Sequence, residues 1–113
     1  MASLALTIPI LPGKTEEFRA FVQEALGPRR AELDASGRKH GLDRQLIWVQ
    51  PTPQGDVLIV YLEGDDPVKS NDSFVASQDP FDVWWKERIQ AITGVDFNQP
   101  PPGLPELVFN WQA

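Results

Sequence analysis

Several residue types that carry chemistry are missing or nearly missing from this chain. Its 113 residues include no cysteine, one histidine, one tyrosine and one methionine. The lack of cysteine excludes disulfide bonds, thiolate nucleophiles and cysteine-based metal sites. No apolar run is long enough to cross a bilayer, since a spanning helix needs about 20 residues. We therefore expect no membrane partner, and any chemistry must come from oxygen, nitrogen and aromatic side chains.

Charge and length narrow the functional class further. The formal net charge is −6, which disfavours binding to a phosphate backbone and predicts no nucleic-acid partner. The apolar start, residues 1–11, lacks the basic region and the small-residue cleavage site of a secretory signal. We therefore expect a cytoplasmic protein. Because 42% of the residues are hydrophobic, we expect one globular domain over residues 1–113.

Hydrophobic periodicity and turn residues divide the chain in the order β-α-β-β-α-β, with the second helix split at Asp79-Pro80. The predicted strands cover residues 3–11, 44–50, 56–63 and 107–111, and the predicted helical segments begin near Thr15, Pro28, Pro67 and Pro80. This pattern predicts a ferredoxin-like α+β fold, a four-stranded antiparallel sheet with helices on one face. Pro9 fits poorly, because the first strand is then central and proline donates no ladder hydrogen bond.

The predicted sheet is apolar on both faces. On the third strand the apolar side chains are Val57, Ile59 and Tyr61 on one side, and Leu58, Val60 and Leu62 on the other. Since side chains alternate across a strand, apolar residues at both parities predict burial on both faces. The helices of the chain can cover one face, so a second copy is expected to cover the other. The sequence thus predicts a homodimer.

The order of elements resembles that of the dimeric α/β-barrel superfamily, which includes the antibiotic-biosynthesis monooxygenases. The resemblance extends over nearly the whole chain. It is closest to short bacterial members, which share phrases such as Leu11-Pro12-Gly13-Lys14, Gly27-Pro28-Arg29-Arg30 and Ser77-Gln78-Asp79-Pro80-Phe81-Asp82. The resemblance implies two sheets that face each other and close a barrel between subunits. Superfamily members include cofactor-free oxygenases, haem-degrading enzymes, isomerases and cyclases, and the fold does not choose among them.

His40 is the one side chain whose ordinary pKa lies near neutrality. As a general base it could take a proton from a phenol or from a carbon beside a carbonyl, with Arg44 assisting the transfer. It also lies at a predicted helix end, where a cation simply complements the helix dipole. The sequence supports either interpretation.

Four further residues are candidates for a ligand pocket between the sheet and the helices. Trp48, Gln50 and Tyr61 belong to facing strands, where they either line an aromatic-substrate pocket or form the dimer core. Asn110 lies between two aromatic residues on a strand that we expect to be partly buried. It either orients a ligand carbonyl, makes a structural hydrogen bond or is simply exposed near the C-terminus.

Two pairs on the last predicted helix have structural interpretations as well. Trp84 and Trp85 diverge by about 100°, so we expect one to be packed and the other to lie at a pocket mouth or subunit contact. Asp79 and Asp82 suggest a carboxylate pair, but their spacing at a helix start favours a capping box.

The sequence predicts neither a metal nor a cofactor. No spacing of histidine, aspartate and glutamate matches a metal site. The resemblance to haem-degrading enzymes implies an asparagine on the first strand and a histidine on a helix, but Thr7 occupies the strand position and residues 82–93 include no histidine. A Ser/His/Asp pattern is also not visible.

Two functions follow as hypotheses. The first is a small cofactor-independent enzyme that acts on an aromatic or polyketide-like molecule by oxygenation, isomerisation or cyclisation. Its catalytic residues would be His40, Tyr61 and Asn110, and its substrate-binding residues would be Trp48, Trp85, Arg44 and Gln50. The alternative is a non-catalytic homodimer that binds a hydrophobic small molecule. A histidine that points to solvent would leave the enzyme hypothesis without a base.

Overall fold

The computed structural model describes residues 2–99 and 103–113. The strands are β1 (Ala2–Pro9), β2 (Leu42–Thr52) and β3 (Gly55–Gly64), and the helices are α1 (Thr15–Leu26), α2 (Arg30–Lys39), α3 (Pro67–Ala76) and α4 (Pro80–Thr93). The predicted α+β class and antiparallel sheet are confirmed. The predicted break between α1 and α2 at Gly27-Pro28 is present.

The sheet has three strands among the described residues, in the order β1-β3-β2, and not the four that were predicted. Residues 107–111, predicted as the last strand, form no strand and are fully exposed. A strand exists only where a second strand pairs with its backbone, and the described chain supplies none to this segment. β1 is consequently an edge strand. Proline is tolerated at an edge, which removes the conflict at Pro9.

One face of the sheet carries the hydrophobic core. The buried strand residues Leu4, Leu58, Val60 and Leu62 pack with Ile10 and with the helix residues Phe18, Phe21, Ile89 and Ile92. Burying each such side chain stabilises the fold by roughly 2 kcal/mol, so this cluster is the main source of stability. On the opposite face Ile59 and Tyr61 are only half-buried, and Trp48 is 50% exposed.

Local sequence sets the ends of the last two helices. The Asp66 carboxylate accepts a hydrogen bond from the Lys69 backbone N–H at 3.1 Å, which caps α3, and proline follows as its first residue. Gly94 ends α4 with a left-handed φ of +79°, a conformation that costs glycine little. These ends fix the two helices that form one side of the site described next.

Candidate functional site

A cleft of about 1090 Å³ lies between the core-bearing face of the sheet and helices α2, α3 and α4. Apolar side chains dominate its wall, among them Ile47 and Val60 from the sheet and Phe74 and Trp85 from the helices. Small-molecule sites have this concave and mostly apolar character. The cleft therefore lies between the sheet and the helices, where the sequence predicts a pocket, and its wall includes Trp85.

His40 lies in the wall of this cleft and is 6% exposed, so it does not point to solvent. Its Nε2 is 2.8 Å from Oδ2 of Asp82, and its Nδ1 is 2.7 Å from Oγ of Ser73. The Phe74 ring contacts the imidazole edge-on, with ring centroids 5.7 Å apart. Since both ring nitrogens are hydrogen-bonded and one edge is packed, the imidazole is held in a single orientation.

Asp82 is the centre of a buried hydrogen-bond network and is 1% exposed. In addition to His40, its carboxylate accepts hydrogen bonds from the hydroxyls of Ser36 at 2.5 Å and Ser77 at 2.6 Å. Burial raises the pKa of Asp82, but the hydrogen bonds from these three residues and the charge of His40 outweigh it and leave the pKa below its ordinary value. Asp82 is thus a carboxylate at neutral pH.

The predicted capping box at the start of α4 is wrong. The Asp79 side chain makes no capping hydrogen bond, and it forms an ion pair with Lys39 instead. The Asp82 carboxylate faces inward to the network around His40. Spacing alone could not distinguish the two roles, because the first turn of a helix has both an exposed and a buried side.

The ionised Asp82 also fixes the tautomer of His40. A carboxylate only accepts hydrogen bonds, so in the neutral ring Nε2 carries the proton and Nδ1 has the free electron pair. The Ser73 hydroxyl then donates to Nδ1. The result is a Ser73–His40–Asp82 arrangement in which a carboxylate orients an imidazole and a hydroxyl faces its other nitrogen, as in a catalytic triad with the two nitrogens interchanged.

This arrangement corrects the expectation that no Ser/His/Asp pattern occurs. The three residues come from three separate segments: His40 directly follows α2, Ser73 lies on α3 and Asp82 on α4. His40 is 33 residues from Ser73 and 42 from Asp82 along the chain. No local motif marks such a set. The available signal was a single histidine together with an acidic residue among the apolar positions of a helix.

The other predicted site residues lie away from the cleft around His40. Trp48, Gln50, Arg44 and Tyr61 belong to the opposite, uncovered face of the sheet, where Trp48 stands across from Ile59. Asn110 belongs to the exposed C-terminal segment, so the strand expected to bury it in part is absent and simple exposure, one of the alternatives for Asn110, is what the structure has. Within one protomer, therefore, the sheet separates the proposed aromatic walls Trp48 and Trp85.

Tyr61 is engaged with its neighbour on β3. Its hydroxyl donates a hydrogen bond of 2.5 Å to Glu63. That hydrogen bond raises the pKa of Tyr61, and burial and the Glu63 charge act in the same direction, while Ser3 and Arg44 act in the opposite one. Tyr61 is therefore a neutral hydrogen-bond donor, and Glu63 is its acceptor.

Trp84 and Trp85 are both half-buried, so both are partly exposed and the expected difference between a packed ring and a partly exposed one is not found. Both rings contact Phe21, with centroids 5.1 and 4.7 Å away. Trp84 is further covered by the Arg29 guanidinium, 4.2 Å from its ring centroid. A wide aromatic cluster between α1 and α4 can thus take up two side chains that diverge on the helix.

Two findings bear on cofactors and membranes. In residues 2–99 and 103–113, no three or more histidine, aspartate and glutamate side chains are grouped so that they could bind a metal ion. Over the same residues, the helices are too short or too polar to cross a membrane.

The elements, the sheet order and the cleft define a ferredoxin-like α+β fold. This fold is similar to the crystal structure of an L-rhamnose mutarotase from Formosa agariphila, with a TM-score of 0.68. The similarity covers 99% of this chain and 100% of that chain at 15% sequence identity, which shows the fold alone. Neither a protein-family model nor a curated protein matches the sequence.

Proposed function

We propose that the chain is a cofactor-independent enzyme that moves a proton on a small aromatic or polyketide-like molecule bound in the cleft. The observation that carries the proposal is the His40–Asp82 pair, held at 2.8 Å in the wall of a largely apolar cavity. Isomerisation, cyclisation and cofactor-free oxygenation of such molecules can all begin with removal of a proton from carbon or from a phenol. The structural neighbour is a mutarotase, which agrees with small-molecule isomerisation and leaves the substrate open.

His40 supplies the base in this mechanism. Asp82 holds the proton on Nε2 and stabilises the imidazolium that forms when Nδ1 takes a second proton. Ser73 is an exposed residue, and its hydroxyl contacts Nδ1 through a part-buried hydrogen bond, so it links the imidazole to the surface. Ser73 is not part of the cleft wall, so a water molecule has to carry the proton from the substrate to its hydroxyl, which accepts that proton while it donates its own to Nδ1.

The lining of the cleft favours a flat and mostly apolar ligand with one or two polar groups. Leu42, Ile47 and Phe81 belong to its wall, and Gln45 and Gln78 are two of its five amide side chains. Such amides can orient a carbonyl or hydroxyl group, and the apolar wall excludes water from the reacting atoms.

We also propose that the protein is a homodimer in which a second copy covers the uncovered face of the sheet. The support is the set of half-buried or exposed apolar residues on that face: Leu46, Trp48, Val57, Ile59 and Tyr61. They form a contiguous patch because β2 and β3 pair in register across it. A patch of this kind on a small protein is typical of an interaction surface.

A non-catalytic small-molecule binder is the second candidate. It is favoured by one specific observation, namely that both ring nitrogens of His40 already have partners within the protein, Ser73 and Asp82. In that case the network is a structural support for the cleft wall, and the ligand meets only ring carbon atoms.

The two candidates differ in whether the wild-type protein accelerates proton exchange. We would incubate it in deuterium oxide with 1-phenyl-1,3-butanedione and 2-hydroxy-1,4-naphthoquinone as probes and follow deuterium uptake at carbon by NMR. The enzyme proposal expects saturable exchange that His40→Gln slows by about 100-fold, the usual contribution of a positioned base. Arg19→Gln, a change on the exposed side of α1, serves as the control.

Ligand binding without exchange would support the binder. Exchange that His40→Gln leaves unchanged would remove His40 from the mechanism. Native mass spectrometry of the purified protein, carried out in parallel, would identify a ligand that remains bound through purification.

A further inference from the structure

The outer edge of β1 has no strand beside it in the described structure. β1 pairs from Ala2 to Pro9 with β3, and the sheet ends there. An edge strand presents unpaired N–H and C=O groups to any strand that approaches. The cleft reaches the same edge, because Thr7 and Pro9 belong to its wall. The cleft is thus open on the side where a further strand would stand.

The topology indicates which strand fits this position. β1 and β2 run parallel to each other, are joined through α1 and α2, and flank β3. The same arrangement, continued from β3 through α3 and α4, would bring a strand parallel to β3 to the far side of β1. That place is the free edge of β1. The segment that follows α4 in the chain is the C-terminal one.

The C-terminal segment has the side-chain pattern of a strand without the pairing of one. Leu107, Phe109 and Trp111 share one parity and are 71%, 81% and 73% exposed, and Val108 is 83% exposed. This is a high density of exposed apolar surface for a free chain end. By contrast, Gly103, Leu104 and Pro105 line the cleft. The segment therefore starts at the cleft and continues into solvent.

We propose that residues 107–111 of one copy pair with the free edge of β1 in a second copy, reciprocally, within a homodimer. Each chain carries both the segment and the edge, and in the structure the segment does not lie on the edge of its own chain. In a dimer, the C-terminal segment of each copy can pair with the free β1 edge of the other copy, and a two-fold axis relates the two contacts. The inference rests on the proposed homodimer and adds a wall to the proposed site.

The exchange changes the cleft as well as the surface. A strand on the edge of β1 closes the opening beside Thr7 and Pro9. Because side chains alternate, one parity of the partner segment then faces the cleft and the other faces the dimer interface. Each site is complete only when a partner supplies that strand, so ligand binding and dimer formation are coupled.

The absence of cysteine from the chain allows a direct test by cross-linking. One tagged variant carries Thr7→Cys, and a second, untagged variant carries Val108→Cys or Phe109→Cys, so that both parities of the segment are covered. After mixing, dissociation, reassociation and mild oxidation, we expect a disulfide-linked heterodimer with one of the two C-terminal variants. Arg19→Cys on α1 replaces Thr7→Cys as the control and should give no cross-link.

Two further measurements distinguish the possible failures. In chains that carry both cysteines, a disulfide only within the chain would show that the segment folds back on its own β1, and the exchange would be excluded. A chain ending at Pro105 should dimerise about 100-fold more weakly or not at all, while its circular dichroism shows retained helices. Unchanged dimerisation of that chain would exclude the exchange and leave the homodimer. A monomeric full-length protein would overturn both.

Discussion

The two faces of the sheet differ in what covers them and hardly at all in how apolar they are. On β3, Leu58 is 1% exposed under the helices, while its neighbour Ile59 on the opposite face is only half-buried. The same alternation continues at Val60 and Tyr61. Since adjacent strand residues point to opposite faces, the difference in burial reflects the layer above each face. The sequence places apolar side chains on both faces of the sheet, but the helices of one chain cover only one of these faces.

The faces also differ in how their polar groups are satisfied. Under the helices, the Asp82 carboxylate accepts hydrogen bonds from His40, Ser36 and Ser77, because a buried charge without partners would be very costly. On the uncovered face, Glu63 accepts a hydrogen bond from Tyr61 at one end of the strands, where Arg44 stands across from Glu63, and Gln50 lies at the other end. The side chains between these ends, Leu46, Trp48 and Ile59, are apolar. Chemistry is therefore expected on the covered face and association on the other.

The largest expected effect is on the uncovered face. Replacing Ile59 with Asp places a charge in the proposed interface, where an unpaired buried charge costs about 4 kcal/mol, or roughly a thousand-fold in dimer affinity. Sedimentation and light scattering should show a monomer or insoluble protein. An Ile59→Asp variant that remains a dimer at unchanged affinity would show that this face is not the interface.

A change on the covered side of the same strand gives the matched comparison. Leu58→Ala leaves a cavity in the core and should lower the free energy of unfolding by about 3 kcal/mol. It should leave the stoichiometry of the dimer as it is. If Leu58→Ala and Ile59→Asp had the same effects on stability and on association, the distinction between the two faces would fail.

The next effect is the pH dependence of the network on the covered face. Asp82 has a lowered pKa in the folded chain, so its hydrogen bonds add stability above its unfolded value, about 4, and lose it as the pH falls through the folded pKa. Asp82→Asn should cost about 2 kcal/mol near neutral pH and progressively less under acid. Urea unfolding followed by tryptophan fluorescence measures both variants. Asp34→Asn on α2 is the control, because its partner is an exposed arginine.

The sequence predicted the helices and strands better than it predicted strand pairing and tertiary packing. Strand alternation and helix periodicity are local, so β2, β3 and α4 were found close to their actual bounds. The fourth strand failed for a physical reason. Residues 107–111 alternate as a strand does, but pairing requires a second backbone, and the pattern does not show whether one is available.

The candidate site was predicted in part. The enzyme hypothesis needed His40 and Trp85 at a pocket, although the sequence left the orientation of His40 open; both line the cleft, and their roles stay predictions. The partners of His40 were missed, since Ser73 and Asp82 reach it through the packing of α2 against α3 and α4. The spacing of serines along a helix does not show which of them contacts a residue from another helix. Trp48 does share one side of the sheet with Tyr61 and Gln50, as predicted, but the sequence did not show that the helices cover the other side.

The smallest expected shift, at Gly37, belongs to a pair of glycine changes that tests how tightly the end of β3 packs against the turn that follows His40. An added Cβ at Gly64, the last residue of β3, would lie 2.6 Å from the Gly41 carbonyl oxygen, and a backbone atom cannot turn aside. Gly64→Ala must therefore separate the end of β3 from the turn that follows His40, at a cost of about 2 kcal/mol. Gly37, within α2, has nothing within 4 Å of an added Cβ, so Gly37→Ala should stabilise the helix by about 0.8 kcal/mol. Thermal unfolding gives the two shifts of opposite sign, and the His40 ring signals in NMR should move with Gly64→Ala. Equal tolerance of both changes would mean that β3 does not hold the histidine in place, and the rigid orientation on which proton transfer depends would have to come from Asp82 alone.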